Sequence, residues 1–343
     1  MFYKLTPGTP WTETILHNFA GAPSDGSAPD GDLLLAAGNI YGTASAGGSH
    51  SAGNVFEMKN SSGTWTESIL YNFAGGTGDG GGPYSGVILS GGVLYGTTFL
   101  GGSNLDGTAY SLTPPTPWAE NVLYTFGASS SDGVNPHSVL LDGGSGVFYG
   151  TTYYGGSDSS GTVYELTCSG GSCSESVIYT FTGGSDGSNP HAGLIMDSNG
   201  ALYGTTVFGG ANSKGTVYKL TPGGGGSWTE TVLYSFGASS SDAAIALAGV
   251  VFGSTQSVLY GATTKGGGSS GCMYGCGTVY KLTLSGGTWS ETILYAFTGY
   301  ANGDGEDAYS DIIYSGGWIY GTTINGGTGS CTDGCGTVYA LQP

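Results

Sequence analysis

Short apolar and aromatic runs recur along the chain, and Gly, Pro, Asp and Ser separate them. No segment has the 3.6-residue apolar period of an amphipathic helix. A Tyr-Gly-(Thr/Ala) motif marks each recurrence, at Tyr41, Tyr95, Tyr149, Tyr203, Tyr260 and Tyr320. These tyrosines stand 54, 54, 54, 57 and 60 residues apart. The pattern predicts six repeats built from strands.

Each repeat offers four short strands, which we label a to d. Strand a is an apolar run that follows an aspartate turn, and strand b carries the Tyr-Gly-Thr motif. Residues 215–220 exemplify strand c and residues 228–236 exemplify strand d. Strand d has apolar side chains in both alternating sets, as expected of a sheet that is covered on both faces. The sequence therefore predicts an all-β, six-bladed β-propeller of four-stranded antiparallel blades.

The two ends of the chain hold complementary strands. Residues 1–20 supply strands c and d, whereas residues 308–343 supply strands a, b and c. We therefore expect residues 1–343 to form a single propeller domain that is closed by joining these two ends. One strand c is left over, and it could be a fifth strand of the closing blade, stay frayed, or pair with a neighbouring molecule.

The repeated motif Leu-Tyr-Gly-Thr-Thr-x-x-Gly-Gly…Gly-Thr-Val-Tyr-x-Leu is clearest at residues 202–220 and 148–166. It resembles the GloVer-type tandem repeat of bacterial surface and secreted proteins, over nearly the whole chain. The resemblance implies an extracellular, often cell-anchored, repeat β-propeller. It brings no catalytic signature that could be carried over to residues of this sequence.

Charge and composition exclude several classes of function. The chain has 70 glycines, 24 acidic residues against 6 lysines, no arginine and a net charge of −18. It cannot build the cationic patch that nucleic acids or anionic lipid surfaces require. Because no run approaches 18 apolar residues, we expect no membrane span. Aromatic residues make up 12% of the chain, so it is not a disordered polymer.

Six cysteines form three close pairs, Cys168 with Cys173, Cys272 with Cys276, and Cys331 with Cys335. Loop-closing disulfides are favoured over a zinc site made from the last two pairs, and they indicate a secreted or cell-surface protein. The N-terminus has no signal-peptide h-region and already reads as the middle of a repeat. We therefore expect a mature fragment whose signal peptide and anchor lie outside this chain.

Acidic residues recur at two places in each repeat. An aspartate opens every connection from strand d to strand a, and turn formation is favoured there over a calcium site. The segment with Asp304, Glu306 and Asp307 is the expected exception, so bound calcium is possible although no cofactor is required. A glutamate in every strand d is interpreted as edge charge. His17, which replaces the tyrosine found there in five repeats, is interpreted as structural.

Variable positions stand out against this repetition. The residue five beyond each turn aspartate is expected to open strand a at the mouth of the central channel. The six are Asp30, Tyr84, His137, His191, Leu247 and Tyr309. His137 and His191 could bind a metal, or act with a tyrosine as acid and base. The b–c loops add a second variable set on the same face, consisting of Phe99, Leu100, Tyr153, Tyr154, Phe208, Lys265 and Asn325. This set predicts a sugar-binding surface or, equally, packing between loops.

Three functions follow from these features. The first is a non-catalytic extracellular module that binds a glycan or cell-surface polymer, or mediates adhesion. The second is a self-assembling surface or filament protein that uses the surplus edge strand. The third is a polysaccharide-active enzyme with a Tyr/His site, for example a lyase. Catalysis is disfavoured because the chain has no arginine to neutralise a uronate and no nucleophile elbow.

Overall fold

The computed structural model describes residues 1–9, 11–115 and 118–343. Regular structure in these ranges is β, apart from three single turns of 3₁₀ helix at Gly76–Gly78, Gly224–Gly226 and Tyr300–Asn302. Five antiparallel sheets contain the predicted strand order a-b-c-d. The predicted fold class, an all-β six-bladed β-propeller, is confirmed.

The strands are short and regularly spaced. Their bounds, from a to d, are Leu34–Ala36, Asn39–Ala44, Asn54–Ser61 and Thr64–Asn72 in blade 1, then Ile88–Ser90, Val93–Thr98, Thr108–Thr113 and Ala119–Thr125 in blade 2. Blade 3 has Leu141–Gly144, Val147–Gly155, Thr162–Ser169 and Ser172–Thr180, with Gly133–Pro136 as an added strand. Blade 4 has Ile195–Met196, Leu202–Thr206, Thr216–Pro222 and Trp228–Ser235. Blade 5 has Val250–Phe252, Val258–Thr263, Thr278–Ser285 and Thr288–Ala296.

The chain ends hold the strands that the sequence predicts. An N-terminal hairpin pairs Phe2–Thr6, a strand c, with Thr12–His17, a strand d. The C-terminal sheet contains Ile313–Ser315, Trp318–Thr323 and Thr337–Leu341, which are strands a, b and c. Closure of the propeller by these two ends, and the fate of the surplus strand c, stay predictions.

The chain divides into two compact units. The first consists of residues 1–150 and 164–176, and the second of residues 151–163 and 177–343. In the first unit the N-terminal hairpin packs through Phe2 against Phe56 and Met58 of blade 1. In the second unit the C-terminal sheet packs against blade 5 in a core that includes Phe297 and Ile319.

Aromatic rings of strand c form the centre of each blade. The ring of Tyr218 in blade 4 is fully buried and lies over Gly204 of strand b, its cross-strand partner. The ring of Phe181, just after strand d of blade 3, meets Tyr218 edge-on with centroids 5.0 Å apart. Equivalent contacts recur at 5.0–5.2 Å between Phe19 and Phe56, Phe73 and Tyr110, Phe126 and Tyr164, Phe236 and Tyr280, and Phe297 and Tyr339. One side chain per repeat therefore helps to stack each blade on the next.

All three predicted disulfides are present, and the described residues include no free cysteine. The zinc alternative is therefore excluded for these thiols. Cys173 stands where strand d of most repeats has tryptophan, and its sulfur packs with Cys168 against the core of blades 2 and 3 in the first unit. None of the described helical turns is long and apolar enough to cross a membrane.

Candidate functional site

Two connections, the d–a turn and the b–c loop, meet in each repeat. Their two-residue strands pair, as Gly80–Gly81 does with Leu100–Gly101. Gly101 has φ +86°, and a Cβ atom there would collide with the Asp79 carbonyl oxygen. The glycine pair that follows each Tyr-Gly-Thr motif is thus required where the loop crosses the turn.

The sequence had predicted that the variable residues open strand a, and this prediction was wrong. His137 precedes strand a of its blade by four residues, and His191 does the same. Strand a is only two to four residues long, so most of the apolar run before it is an extended connection. Each variable residue instead lies two residues after a position whose backbone is left-handed. That position is three residues beyond the turn aspartate, and in the six repeats it is Ala28, Gly82, Asn135, Asn189, Ile245 and Asp307.

We expect Ile245→Asn to raise the melting temperature by about 2 °C. Ile245 has φ +61°, a conformation that costs a β-branched residue about 1 kcal/mol more than asparagine. At the equivalent Asn189, the side-chain amide also donates to the carbonyl of Tyr153 at 3.0 Å. Thermal denaturation checks this. Ile245→Val, which keeps the branched side chain, should bring no gain, and a lower melting temperature for Ile245→Asn would contradict the prediction.

A first aromatic cluster, Tyr84, Phe99 and His137, lies in the first unit. The Tyr84 and His137 rings are stacked with centroids 5.2 Å apart, and Phe99 meets them edge-on at 5.3 and 5.8 Å. The side-chain amide of Asn135 donates to the Phe99 carbonyl oxygen at 2.7 Å and so fixes the loop that carries this ring. Tyr84 keeps 37% of its surface exposed.

A second aromatic cluster, Tyr153, Tyr154, His191 and Tyr309, lies in the second unit. Ring centroids are 4.7 Å apart for Tyr153 and Tyr154, 6.0 Å for Tyr153 and His191, and 5.4 Å for His191 and Tyr309. Asn189 fixes the Tyr153 loop as Asn135 fixes the Phe99 loop. The same Asn-Pro-His sequence therefore builds the same local arrangement in both units.

His191 is held in one tautomer. Its Nδ1 lies 3.0 Å from the Leu247 carbonyl oxygen, which can only accept, so Nδ1 carries the proton. The Tyr309 hydroxyl therefore donates to Nε2, at 3.1 Å. Burial lowers the pKa of His191 to about 4, although the bond to Leu247 opposes this shift. At neutral pH the imidazole is uncharged and orients the Tyr309 ring.

Aromatic surface around His191 is open to solvent. Tyr154 is 46% exposed and Tyr309 is 37% exposed. Phe208, 43% exposed, sits in a b–c loop whose backbone pairs with Ser188, in the turn that leads to His191. Tyr154, Phe208 and Tyr309 thus present exposed aromatic surface on the connections of this unit.

The remaining sequence-predicted residues lie in separate places. Asp30 accepts a hydrogen bond from the Ser45 hydroxyl at 2.6 Å in the first unit. Asn325 reaches toward Asp307 at 3.5 Å in the second unit. His137 belongs to the first unit and His191 to the second. Joint metal binding by these two histidines stays a prediction.

The segment proposed for calcium is occupied by other interactions. The Asp304 carboxylate accepts from the Thr298 and Gly305 amides, both at 2.8 Å, which is turn chemistry. Asp307 forms an ion pair with Lys265 at 2.6 Å. In the described residues, the one group of His, Cys, Asp and Glu ligand atoms that converges lies elsewhere. Calcium at Asp304, Glu306 and Asp307 stays a prediction without geometric support.

Where consecutive repeats meet, the turn aspartate of one repeat lies near a strand d glutamate of the next, and we call each of these contacts a joint. At one joint the Tyr71 hydroxyl donates to the turn aspartate Asp79 at 3.0 Å, and Glu120, from strand d of the following blade, faces them. Burial, followed by the nearby Asp79 charge, raises the pKa of Glu120 to about 7. Equivalent joints are Tyr124, Asp132 and Glu175, then Tyr179, Asp186 and Glu230, then Tyr234, Asp242 and Glu291. The interpretation of these glutamates as edge charge was wrong, because they are partly buried between blades.

The first joint departs from this pattern because His17 replaces the tyrosine. Its Nε2 lies 3.1 Å from Asp25 Oδ2 and 3.3 Å from Glu67 Oε2. These are the three residues that converge closely enough to hold a metal within the described part of the chain. The interpretation of His17 as structural did not foresee this convergence. The sequence feature that could have identified this position is the histidine at a place where the other repeats have tyrosine.

Comparisons with known proteins agree with the repeat pattern. The model of the Gloeobacter/Verrucomicrobia repeat matches residues 66–274, more than half of the chain. No curated protein matches the sequence. The periplasmic gluconolactonase of Pseudomonas aeruginosa is similar in structure, with a TM-score of 0.59 at 12% identity over 99% of this chain and 94% of that one. A Lactobacillus plantarum protein gives 0.59 at 15% identity over 94% and 84%. At such identities the likeness shows the fold alone.

Proposed function

Because this chain belongs to the Gloeobacter/Verrucomicrobia repeat family, which is defined by a repeated sequence and not by one chemical activity, we propose that its functional residues are those that differ between the repeats. The function that these positions support best is non-catalytic binding of a glycan outside the cell. The observation that carries the proposal is the exposed aromatic surface of Tyr154, Phe208 and Tyr309 around a buried, neutral His191.

Sugar rings bind to such surfaces through their apolar C–H faces. An aromatic side chain supplies the apolar area, and nearby hydroxyl, amide and backbone groups fix orientation. Tyr309 is already oriented by His191, and the Tyr153 loop is held by Asn189. Fixing these groups before binding lowers the entropic cost of association. The Tyr84, Phe99 and His137 cluster is a second candidate subsite of the same type.

A neutral glycan fits better than an acidic one. The chain has no arginine, its net charge is −18, and Lys265 is engaged by Asp307. An anionic uronate polymer would be repelled at long range and would lack a bidentate cation to pair with.

Binding without catalysis is favoured because His191 is a weak base. A general base works best when its pKa lies near the operating pH, and the pKa of His191 is lowered to about 4. Its Nε2 already accepts a hydrogen bond from Tyr309. An extracellular location is supported by the three disulfides, which persist in oxidising compartments.

A glycan array tests the proposal. We expect wild type to bind neutral glycans and Tyr154→Ala to weaken binding at least about fivefold, since an aromatic contact contributes about 1 kcal/mol or more. Tyr300→Ala is the matched control, because Tyr300 is equally exposed, at 46%, in a separate 3₁₀ turn. An array without any bound glycan, or equal losses in both variants, would refute the proposal. Release of shortened products from a bound glycan would favour the polysaccharide-active enzyme instead.

A further inference from the structure

A His-Asp-Glu cluster lies at the first joint of the chain, outside the aromatic clusters. His17 ends strand d of the N-terminal hairpin, Asp25 sits in the turn that follows, and Glu67 comes from strand d of blade 1. The three residues thus connect the hairpin to the first complete blade of the same unit. Their side chains are mostly buried, with 23% of His17, 9% of Asp25 and 12% of Glu67 exposed.

The spacing of the ligand atoms suits a small tetrahedral cation. Zinc binds imidazole nitrogen and carboxylate oxygen at about 2.0–2.2 Å, which separates neighbouring ligands by roughly 3.4 Å. His17 Nε2 lies 3.1 Å from Asp25 Oδ2 and 3.3 Å from Glu67 Oε2. Calcium takes six to eight oxygens at longer distances, so a site with one nitrogen and two carboxylates does not suit it.

The oxygen atoms have capacity left for a metal. Asp25 Oδ2 accepts a hydrogen bond from the Ala20 amide at 2.6 Å, and its other contact, with His17 Nε2 at 3.1 Å, is the one that a metal ion between the two atoms would replace. Glu67 Oε1 is fully buried and has no hydrogen-bond partner among the described residues, a property that it shares with Oε1 of Glu120, Glu175, Glu230 and Glu291. A cation between His17 and the two carboxylates would neutralise this buried negative charge and could engage that oxygen.

The other joints provide an internal comparison. Where His17 stands, Tyr71, Tyr124, Tyr179, Tyr234 and Tyr295 donate a hydroxyl proton to their turn aspartate at 2.9–3.1 Å. A neutral phenol is a poor zinc ligand at physiological pH, whereas neutral imidazole is a good one. The change from tyrosine to histidine therefore turns a hydrogen-bonded joint into a ligand set.

We propose that His17, Asp25 and Glu67 bind one zinc ion, with water in the fourth position, which fastens the N-terminal hairpin to blade 1. Three protein ligands and an open position accessible beside the partly exposed His17 complete a tetrahedron. Because the ion binds only the folded arrangement, it stabilises the native chain. This site is independent of the proposed sugar binding.

Calorimetric titration of chelator-treated protein with zinc chloride tests the proposal. Wild type should bind one equivalent, and its melting temperature should rise by about 5 °C at a hundredfold excess over Kd. H17Y, which installs the residue of the other repeats and should therefore fold, should lose this binding. Cobalt(II) should give visible d–d absorption with wild type and none with H17Y.

A second variant is designed to transfer the proposed zinc site to the joint at Tyr124. Tyr124 lies 2.9 Å from Asp132, with Glu175 facing the pair, so H17Y/Y124H should regain one equivalent of zinc at the later joint. Unchanged zinc binding by folded H17Y, or absence of stoichiometric binding by wild type, would overturn the proposal. Failure of the folded double variant to regain zinc would overturn the claim that these three positions suffice.

Discussion

Raising the pH from 5 to 9 is expected to lower the melting temperature of this protein by about 5 °C, because the loss at four partly buried glutamates exceeds the gain at His191, whose pKa is lowered to about 4. The cause is the set of glutamates at the tyrosine-containing joints. Burial, with the facing aspartate as the next cause, raises the pKa to about 7 for Glu120, Glu175 and Glu230, and to about 9 for Glu291. After allowance for solvent screening of these partly exposed groups, each contributes on the order of 1 kcal/mol.

The sign follows from proton binding. In the unfolded chain these glutamates lose their protons near pH 4.5, whereas in the folded chain they keep them until about pH 7 or 9. Their contribution to stability is therefore complete below pH 4.5 and is lost as the pH rises through the folded values. Most of the loss falls between pH 4.5 and 7, and Glu291 extends it toward pH 9.

Glu291→Gln isolates one joint. The Gln amide can donate a hydrogen bond to Asp242 without a titratable proton, so this variant should be more stable than wild type at pH 8 and little changed at pH 5. Glu306→Gln, on a glutamate outside the joints, is the control. Melting curves measured across this pH range give the answer. A melting temperature of wild type that rises from pH 5 to pH 8 would contradict the prediction.

Gly204→Ala is expected to destabilise the protein by about 3 kcal/mol. A Cβ atom at Gly204 would lie 2.5 Å from the Tyr218 hydroxyl oxygen, 2.7 Å from its Cζ and 2.9 Å from Leu194 Cδ2. The Tyr218 ring is fully buried and held edge-on by Phe181, so it has no room to withdraw. Denaturant titration measures the change in the free energy of unfolding.

Two companion variants separate the causes. Gly224→Ala, where a Cβ atom would meet nothing within 4 Å, should change stability little. Tyr218→Phe should be tolerated or stabilise by about 1 kcal/mol, since the Tyr218 hydroxyl is buried without a partner among the described residues. Phe56 already fills this place in blade 1. Wild-type stability in Gly204→Ala would show that the Tyr218 ring is not confined.

Local patterns explain why so much of the fold was predictable. The Tyr-Gly-Thr motif fixes strand b, the glycine pairs fix the loop crossings, and cysteines four or five residues apart can only close a nearby loop. The start of strand a was not predictable in this way. Its length depends on how far the neighbouring strand b continues to pair, not on its own apolar run.

The candidate sites depend on contacts that distant segments make. His191 is held by the backbone carbonyl of Leu247, 56 residues further along the chain. Because every residue has such a carbonyl, the sequence does not reveal which one accepts this hydrogen bond. The burial of Glu120 requires knowing that strand d of one blade packs on the turn of the blade before it. The aromatic clusters could be foreseen as sets of residues, but not the hydrogen bonds that orient them.

The joints also bear on how such an array could evolve. The joints at Tyr71, Tyr124, Tyr179 and Tyr234 each use a tyrosine and an aspartate from one repeat and a glutamate from the next. Duplication or exchange of a whole repeat therefore recreates a complete joint on both sides without any compensating substitution. His17 breaks this interchangeability, because a repeat that carries it makes a different contact with its successor. Unequal recombination between tyrosine-containing joints therefore conserves the contact, whereas recombination at the histidine joint replaces one kind of contact with another.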